Sequence, residues 1–296
     1  GSFEIFDEVT NALNFNPGSY LVLPMTGSSQ RPTYTLQFRF NNAERALTTL
    51  GVGDTGASSG SWAVNLVPHP SSSTSTYGRI EVTDTIGTVL LSSSYADIFN
   101  NEKYYDVMIR YNDPSMTLSV GYGDGEEILY QSSMTTTSAY MIDAWNLTNN
   151  FYLGGSGSLS TNNFNGYIDE VRVWGEQITD TRFSEQILDP GSFAGNSYTS
   201  PVENLWVRLS FHKPSNLWTG NIANDSPYRN KDGGSDPSLP LLPNITKIVA
   251  YGFQDAPYYP YSMARVTRKV KQYTTNNGAY SYGSNKIIIA PPPVFN

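Results

Sequence analysis

The chain has 296 residues, a formal net charge of −8 and no cysteine, which excludes disulfides, thiolate metal sites and cysteine nucleophiles together. The mild acidity argues against a duplex nucleic-acid binder, and no run of about 18 apolar residues occurs, so no membrane span is expected. Tyrosine (21) and phenylalanine (13) are plentiful, with 25 glycines, 18 prolines and long Ser/Thr tracts, a composition that favours strands joined by turns.

In chain order, residues 12–24 read as an apolar strand, a glycine turn and a second strand ending at proline, and residues 34–40 as the next strand. Residues 103–111 and 116–120 alternate like a strand pair. Asp124 and Gly125 suit a two-residue hairpin turn, and residues 128–130 continue beyond it. A short strand at 151–155 precedes the most informative segment, residues 164–174. Strict alternation there places Tyr167, Asp169, Val171 and Val173 on one face and Ile168, Glu170, Arg172 and Trp174 on the other, between Gly166 and Gly175. Trp174 and Trp206 lie inside strand patterns and are read as packing residues.

The segment at 164–174 resembles the closing strand of laminin G-like domains in the concanavalin A-like lectin/glucanase superfamily, a Gly-x-Ile-Asp-Glu-Val-Arg-x-Trp run followed by a short helical tail, here Thr179 with residues 182–187. The upstream pieces follow the family's order from about residue 12 to 187. The resemblance implies an all-β, antiparallel β-sandwich (jelly roll, concanavalin A-like) over residues 1–190, with an extended C-terminal arm within 191–296.

Asp189 to Gly191 and Gly195 break the chain after that unit. Residues 203–211 then read as a strand with Leu205, Val207, Leu209 and Phe211 alternating. Left unpaired it would expose both apolar side chains and a hydrogen-bonding edge, so it is expected to complete the sandwich. Residues 247–253 read as another strand. Beyond Pro257 come five basic residues, Arg265, Arg268, Lys269, Lys271 and Lys286, and no acidic one. This cationic arm is read as docking on an acidic surface of its own body or of a neighbouring subunit, with 286–290 suited to adding a strand to a sheet edge. Residues 264–277 and 286–293 resemble sequence in large virion or tail-associated proteins of tailed bacteriophages, which implies a virion or extracellular location.

Catalysis by paired carboxylates needs one protonated and one ionised group a few ångströms apart. Glu4 and Glu8 share a strand face without Asp7, and the adjacent Asp169 and Glu170 should point to opposite faces as surface carboxylates. His69 and His212 lie in loop-like sequence. The chain is therefore read as a non-enzymatic structural or adhesion module acting through protein docking, with a glycan-binding module as the alternative and a glycoside hydrolase third. No cofactor is expected, although the family resemblance admits calcium at a rim, with Asp54 as the candidate ligand and Asp124 better explained as a turn residue. For sugar stacking, the aromatic platforms in or beside loops are Trp62, Tyr77, Tyr140 and Trp145.

Overall fold

A computed structural model describes residues 10–15, 19–24, 33–41, 44–54, 61–71, 76–112, 114–141, 150–155, 163–192, 194–199, 202, 204–211, 221–222, 248–251 and 263–266. Its regular elements are almost all strands. In order these are β1 (Thr10–Phe15), β2 (Tyr20–Pro24), β3 (Thr33–Asn41), β4 (Thr48–Asp54), β5 (Trp62–Pro68), β6 (Gly78–Thr83), β7 (Val89–Ser92), β8 (Tyr105–Asn112), β9 (Ser115–Gly123), β10 (Ile128–Thr136), β11 (Asn150–Leu153), β12 (Gly166–Trp174), helix α1 (Asp180–Leu188), β13 (Leu205–Leu209), β14 (Asn221–Ile222), β15 (Ile248–Tyr251) and β16 (Met263–Val266). No helix among them is long and apolar enough to cross a membrane.

Two antiparallel sheets face one another, as the sequence led us to expect. One runs β10-β9-β8-β3-β12-β1-β16, with β13 also on β12, and the other runs β14-β15-β2-β11-β4-β5-β6-β7. Alternation along each strand sends one set of side chains into the space between the sheets. From the first sheet come Tyr34, Leu36, Phe38 and Phe40 on β3 and Val107, Ile109 and Tyr111 on β8; from the second come Leu50, Trp62, Val64, Leu66, Phe151 and Leu153. The β13 strand pairs antiparallel with the second half of β12, Val171 opposite Leu209 and Val173 opposite Val207, so its apolar side chains are not left exposed.

The strict alternation read along β12 does not survive. Asp169 pairs with Arg39 and Arg172 with Gln37, so Glu170 and Val171 together oppose the single residue Phe38, and Glu170 adopts a φ of 46°. This bulge reverses the parity of the strand. Ile168 therefore joins Val171 and Val173 in the inner core, whereas Trp174 packs on the outer side of the sheet under α1 with Met108, Ile178, Phe183, Ile187 and Leu205. The packing role expected of Trp174 and Trp206 is met, both being buried.

The bulge also corrects the expected placement of the two carboxylates. Glu170 bonds Arg172 and Arg208, and Asp169 faces Arg39, so both point to the outer face, and both are completely buried instead of solvent-facing. The expected two-residue turn at Asp124 is a four-residue loop in which the Asp124 carboxylate accepts the amides of Glu126 (2.9 Å) and Glu127 (3.0 Å), with Gly125 at a φ of 93°.

Candidate functional site

Strand registers define two ends of the sandwich. At one end β3 finishes, β8 starts, β9 finishes and β10 starts. Beside them residues 76–78 pair with 96–99 through Gly78 N–H to Ala96 O (2.8 Å), its reciprocal bond, and Phe99 N–H to Thr76 O (2.9 Å). This arrangement gathers four tyrosines. The Tyr105 ring lies 5.3 Å from that of Tyr122 and 6.0 Å from that of Tyr130, and Tyr77 is near enough to act on the ionisation of Tyr105. Tyr105 is buried, Tyr122 and Tyr130 are half-buried, and Tyr77 is 51% exposed, so the cluster grades from core to solvent.

Polar groups frame the open side. Asp97 accepts from Lys103 Nζ at 2.6 Å, from Asn100 Nδ2 at 3.0 Å and from the Thr76 hydroxyl, while the same ammonium sits 5.4 Å from the Tyr122 ring centre. Partial burial of Asp97 opposes its charge, but these three donors outweigh it and hold the carboxyl below its ordinary range. Burial, reinforced by Asp97 and the neighbouring phenols, pushes Tyr105 well above the usual phenol range. It also raises Tyr130, whose hydroxyl donates to Ser94 O at 2.7 Å. Tyr105 and Tyr130 are thus neutral at ordinary pH. The site offers uncharged aromatic surface beside an ionised carboxylate, an ammonium and an amide.

The other candidates lie elsewhere. Trp62 opens β5 rather than occupying a loop, is 1% exposed, and packs its ring 5.4 Å from Phe151, with the Gly53 backbone against it because a Cβ there would lie 2.1 Å from the indole. It is a core residue and cannot present a face to a sugar, which corrects its reading as a platform. Tyr140 is half-buried at the opposite end, its hydroxyl donating to Ser61 O at 2.8 Å. Asp54 ends β4 at that same end and accepts from Tyr152 OH at 3.3 Å. Among the described residues no three His, Cys, Asp or Glu side chains converge as a metal site would require. Trp145, Arg268, Lys269 and Lys271 lie outside the described residues, as do His212 and residues 286–290, whereas the backbone of Arg265 falls in β16, paired with β1. The structure therefore separates Tyr77 from Tyr140 and Asp54. Tyr122, Tyr130 and Lys103 were not anticipated, because Tyr122 and Tyr130 alternate within strands like core residues and gather around Tyr105 only through tertiary pairing.

The buried ionic field on the outer face of the first sheet is the second place where chemistry could sit. Glu170 takes Arg172 Nη2 at 2.9 Å and Arg208 Nη2 at 2.7 Å, and Arg39 stands 3.4 Å from Asp106 and 3.7 Å from Asp169. Desolvation opposes the charge of Glu170, but its two guanidinium partners overcome it and lower its pKa. Desolvation and then the Glu170 charge push Asp169 up to about 7. Carboxylates driven apart in this way resemble an acid/base pair. Both are completely buried, however, and Glu170 is saturated by guanidinium groups, so neither can meet a polymeric substrate.

No family model matches the chain, and no curated protein matches it. Among solved structures, the chain is similar to tailspike protein 2 of an Escherichia coli O157:H7 bacteriophage at 11% identity and a TM-score of 0.41, over 60% of this chain and 24% of that one. It is similar to the mouse laminin alpha1 chain at 15% identity and a TM-score of 0.37, over 56% of this chain and 40% of that one. A sialidase carbohydrate-binding module of Ruminococcus gnavus, solved with alpha2,6 sialyllactose, matches at 13% identity and a TM-score of 0.35, over 64% of this chain and 98% of that one. The chain thus spans about a quarter of the tailspike and less than half of the laminin chain.

Proposed function

We propose that this chain is a non-enzymatic binding module whose ligand surface is the tyrosine-lined end of the sandwich, and that the ligand is a surface glycan. The observation that carries the reading is the convergence of exposed Tyr77 with half-buried Tyr122 and Tyr130 beside Asp97, Lys103 and Asn100. A pyranose presents an apolar C–H face and a ring of hydroxyls. Neutral aromatic faces take the first, and a fixed carboxylate, ammonium and amide take the second. The burial of Asp169 and Glu170 supports the non-enzymatic part, since glycoside hydrolysis needs two carboxylates open to the substrate.

The same reading places the module on a virion or cell exterior as part of a larger assembly, with the basic segment around Arg265, Arg268, Lys269 and Lys271 docking on an acidic neighbour. Calcium at Asp54 stays a separate proposal, and it would need further oxygen donors around that carboxylate. The test is a glycan array followed by saturation-transfer NMR on the full chain. We expect millimolar or tighter binding that Tyr77→Ala weakens about tenfold, equivalent to about 1.4 kcal/mol, while Tyr198→Ala, at an exposed tyrosine elsewhere, leaves it unchanged. Binding indifferent to Tyr77→Ala, or no binding to any glycan, would reject the site.

A further inference from the structure

The β10 strand forms the outer edge of its sheet and, among the described residues, pairs only with β9. Its nine residues, Ile128–Thr136, include no charge and no proline. Sheet edges are ordinarily blunted by lysine, proline, bulges or very short strands. Here the one such device is a register shift between Ile128 and Tyr130, which leaves Tyr130 to Thr136 regular. The other sheet's edge beside it, β7, has only four residues. It and the residues just after it close over the inner side of β10 through Ser92 N–H to Met134 Sδ (3.2 Å) and Ser94 N–H to Ser132 Oγ (2.9 Å). The outer side is held by neutral pairs, Ser119 with Ser133 and Thr117 with Thr135. The strand is thus fixed on both faces, with the backbone row along its outer edge facing away from β9. Leu129 (51%) and Met134 (44%) stand exposed beside that row.

We infer that this edge pairs with the same edge of a second copy, antiparallel about a two-fold axis at Ser132, and joins the two sheets into one. Charge selects the occupant. Two chains of net charge −8 repel each other on balance, so a contact between copies is favoured on an uncharged strip, and this edge is one. Register selects the axis. Centred on Ser132, Tyr130 of each copy opposes Met134 of the other, an aromatic–thioether contact, and Gln131 opposes Ser133, an amide–hydroxyl pair. Glu126 and Glu127 then fall beyond the regular segment, opposite Ser138 and Thr137, so no like charges meet. Antiparallel pairing turns the two tyrosine-lined ends in opposite directions, so the dimer presents its two ends to separate partners.

Light scattering after size exclusion tests this on the full chain. We expect about twice the 32.7 kDa chain mass at tens of micromolar, and the single-chain mass in Ser133→Lys, a substitution at an exposed position that leaves the melting temperature within a few degrees. A wild-type chain of single mass up to about 100 micromolar, or a Ser133→Lys chain that remains dimeric, overturns the inference. The chain has no cysteine, so Ser132→Cys carries the only thiol, and opposed residues in antiparallel strands lie within disulfide reach. Oxidation should link Ser132→Cys, whereas linkage of Ser133→Cys in its place would overturn the register. Glycan binding by Tyr77 is measured separately and does not depend on this outcome.

Discussion

At Asp169, burial and a neighbouring carboxylate act in the same direction. The side chain is completely buried, its Oδ1 accepts the Glu170 amide at 2.8 Å, and Arg39 at 3.7 Å is its facing cation. Desolvation and the Glu170 charge raise its pKa from 3.8 to about 7. A raised folded-state pKa means that the folded chain holds this proton more tightly than the unfolded one. The resulting stabilisation is therefore complete below about pH 4 and lost as pH rises through 7, a change on the order of 4 kcal/mol at most. Glu170 is shifted the other way and acts only below its ordinary value of 4.5, outside the range from pH 5 to 8. Urea unfolding of the wild type between pH 5 and 8 should thus show a falling midpoint. Asp169→Asn, which keeps an acceptor for the Glu170 amide, should flatten the fall. Equal slopes in the two proteins would mean that Asp169 does not titrate there.

Among the elements, α1 shows how a short helix is held by its ends and one face. Thr179 caps it, its hydroxyl accepting the Arg182 amide at 3.3 Å, and Arg110 reaches Asp180 in the first turn at 2.7 Å. Phe183 and Ile187 lie buried on the outer face of the sheet, and Gly121 leaves the room for Ile187, since a Cβ there would sit 2.2 Å from its Cδ1. Thr179→Ala should cost about 1 kcal/mol and loosen the cover over Trp174, detected as a lower melting temperature with a red-shifted tryptophan emission. An unchanged midpoint would show that packing alone holds the helix. This element was expected through the family resemblance, whose closing strand precedes a short helical tail, here Thr179 with residues 182–187. So was β12 as a strand, from Gly166 to Trp174, but its facing was not. Nothing in the alternation announces that Glu170 takes a positive φ, and one inserted residue moves every later side chain to the other face. No strand was assigned between 48 and 92 for a related reason. Glycines 51 and 53 occur inside β4, where β propensity is low, because Phe151 and Trp62 lie against their Cα atoms.

At the scale of the whole molecule, the question is whether a strand more than 30 residues downstream of β12 is an accessory or part of the closure. The first half of β12 is flanked by β1 and the second half by β13, so β13 fills the remainder of the same seam. With the following turn it buries Leu205, Trp206, Val207, Leu209 and Phe211, and Arg208 supplies one of the two cations on Glu170. At roughly 1.5–3 kcal/mol per large apolar side chain, an upper estimate, its removal takes away on the order of 10 kcal/mol, comparable with the entire stability of an ordinary domain. It also strands Glu170 with half its countercharge. Closure through a distant segment is why the sequence could show that 205–211 needed a partner before it could show which strand that was. A chain ending at Phe211 should therefore melt cooperatively. One ending at Thr199 should bind a hydrophobic dye, give collapsed amide dispersion by NMR and show no thermal transition. If the two truncations melt alike, the β12–β13 seam is not what closes this sandwich.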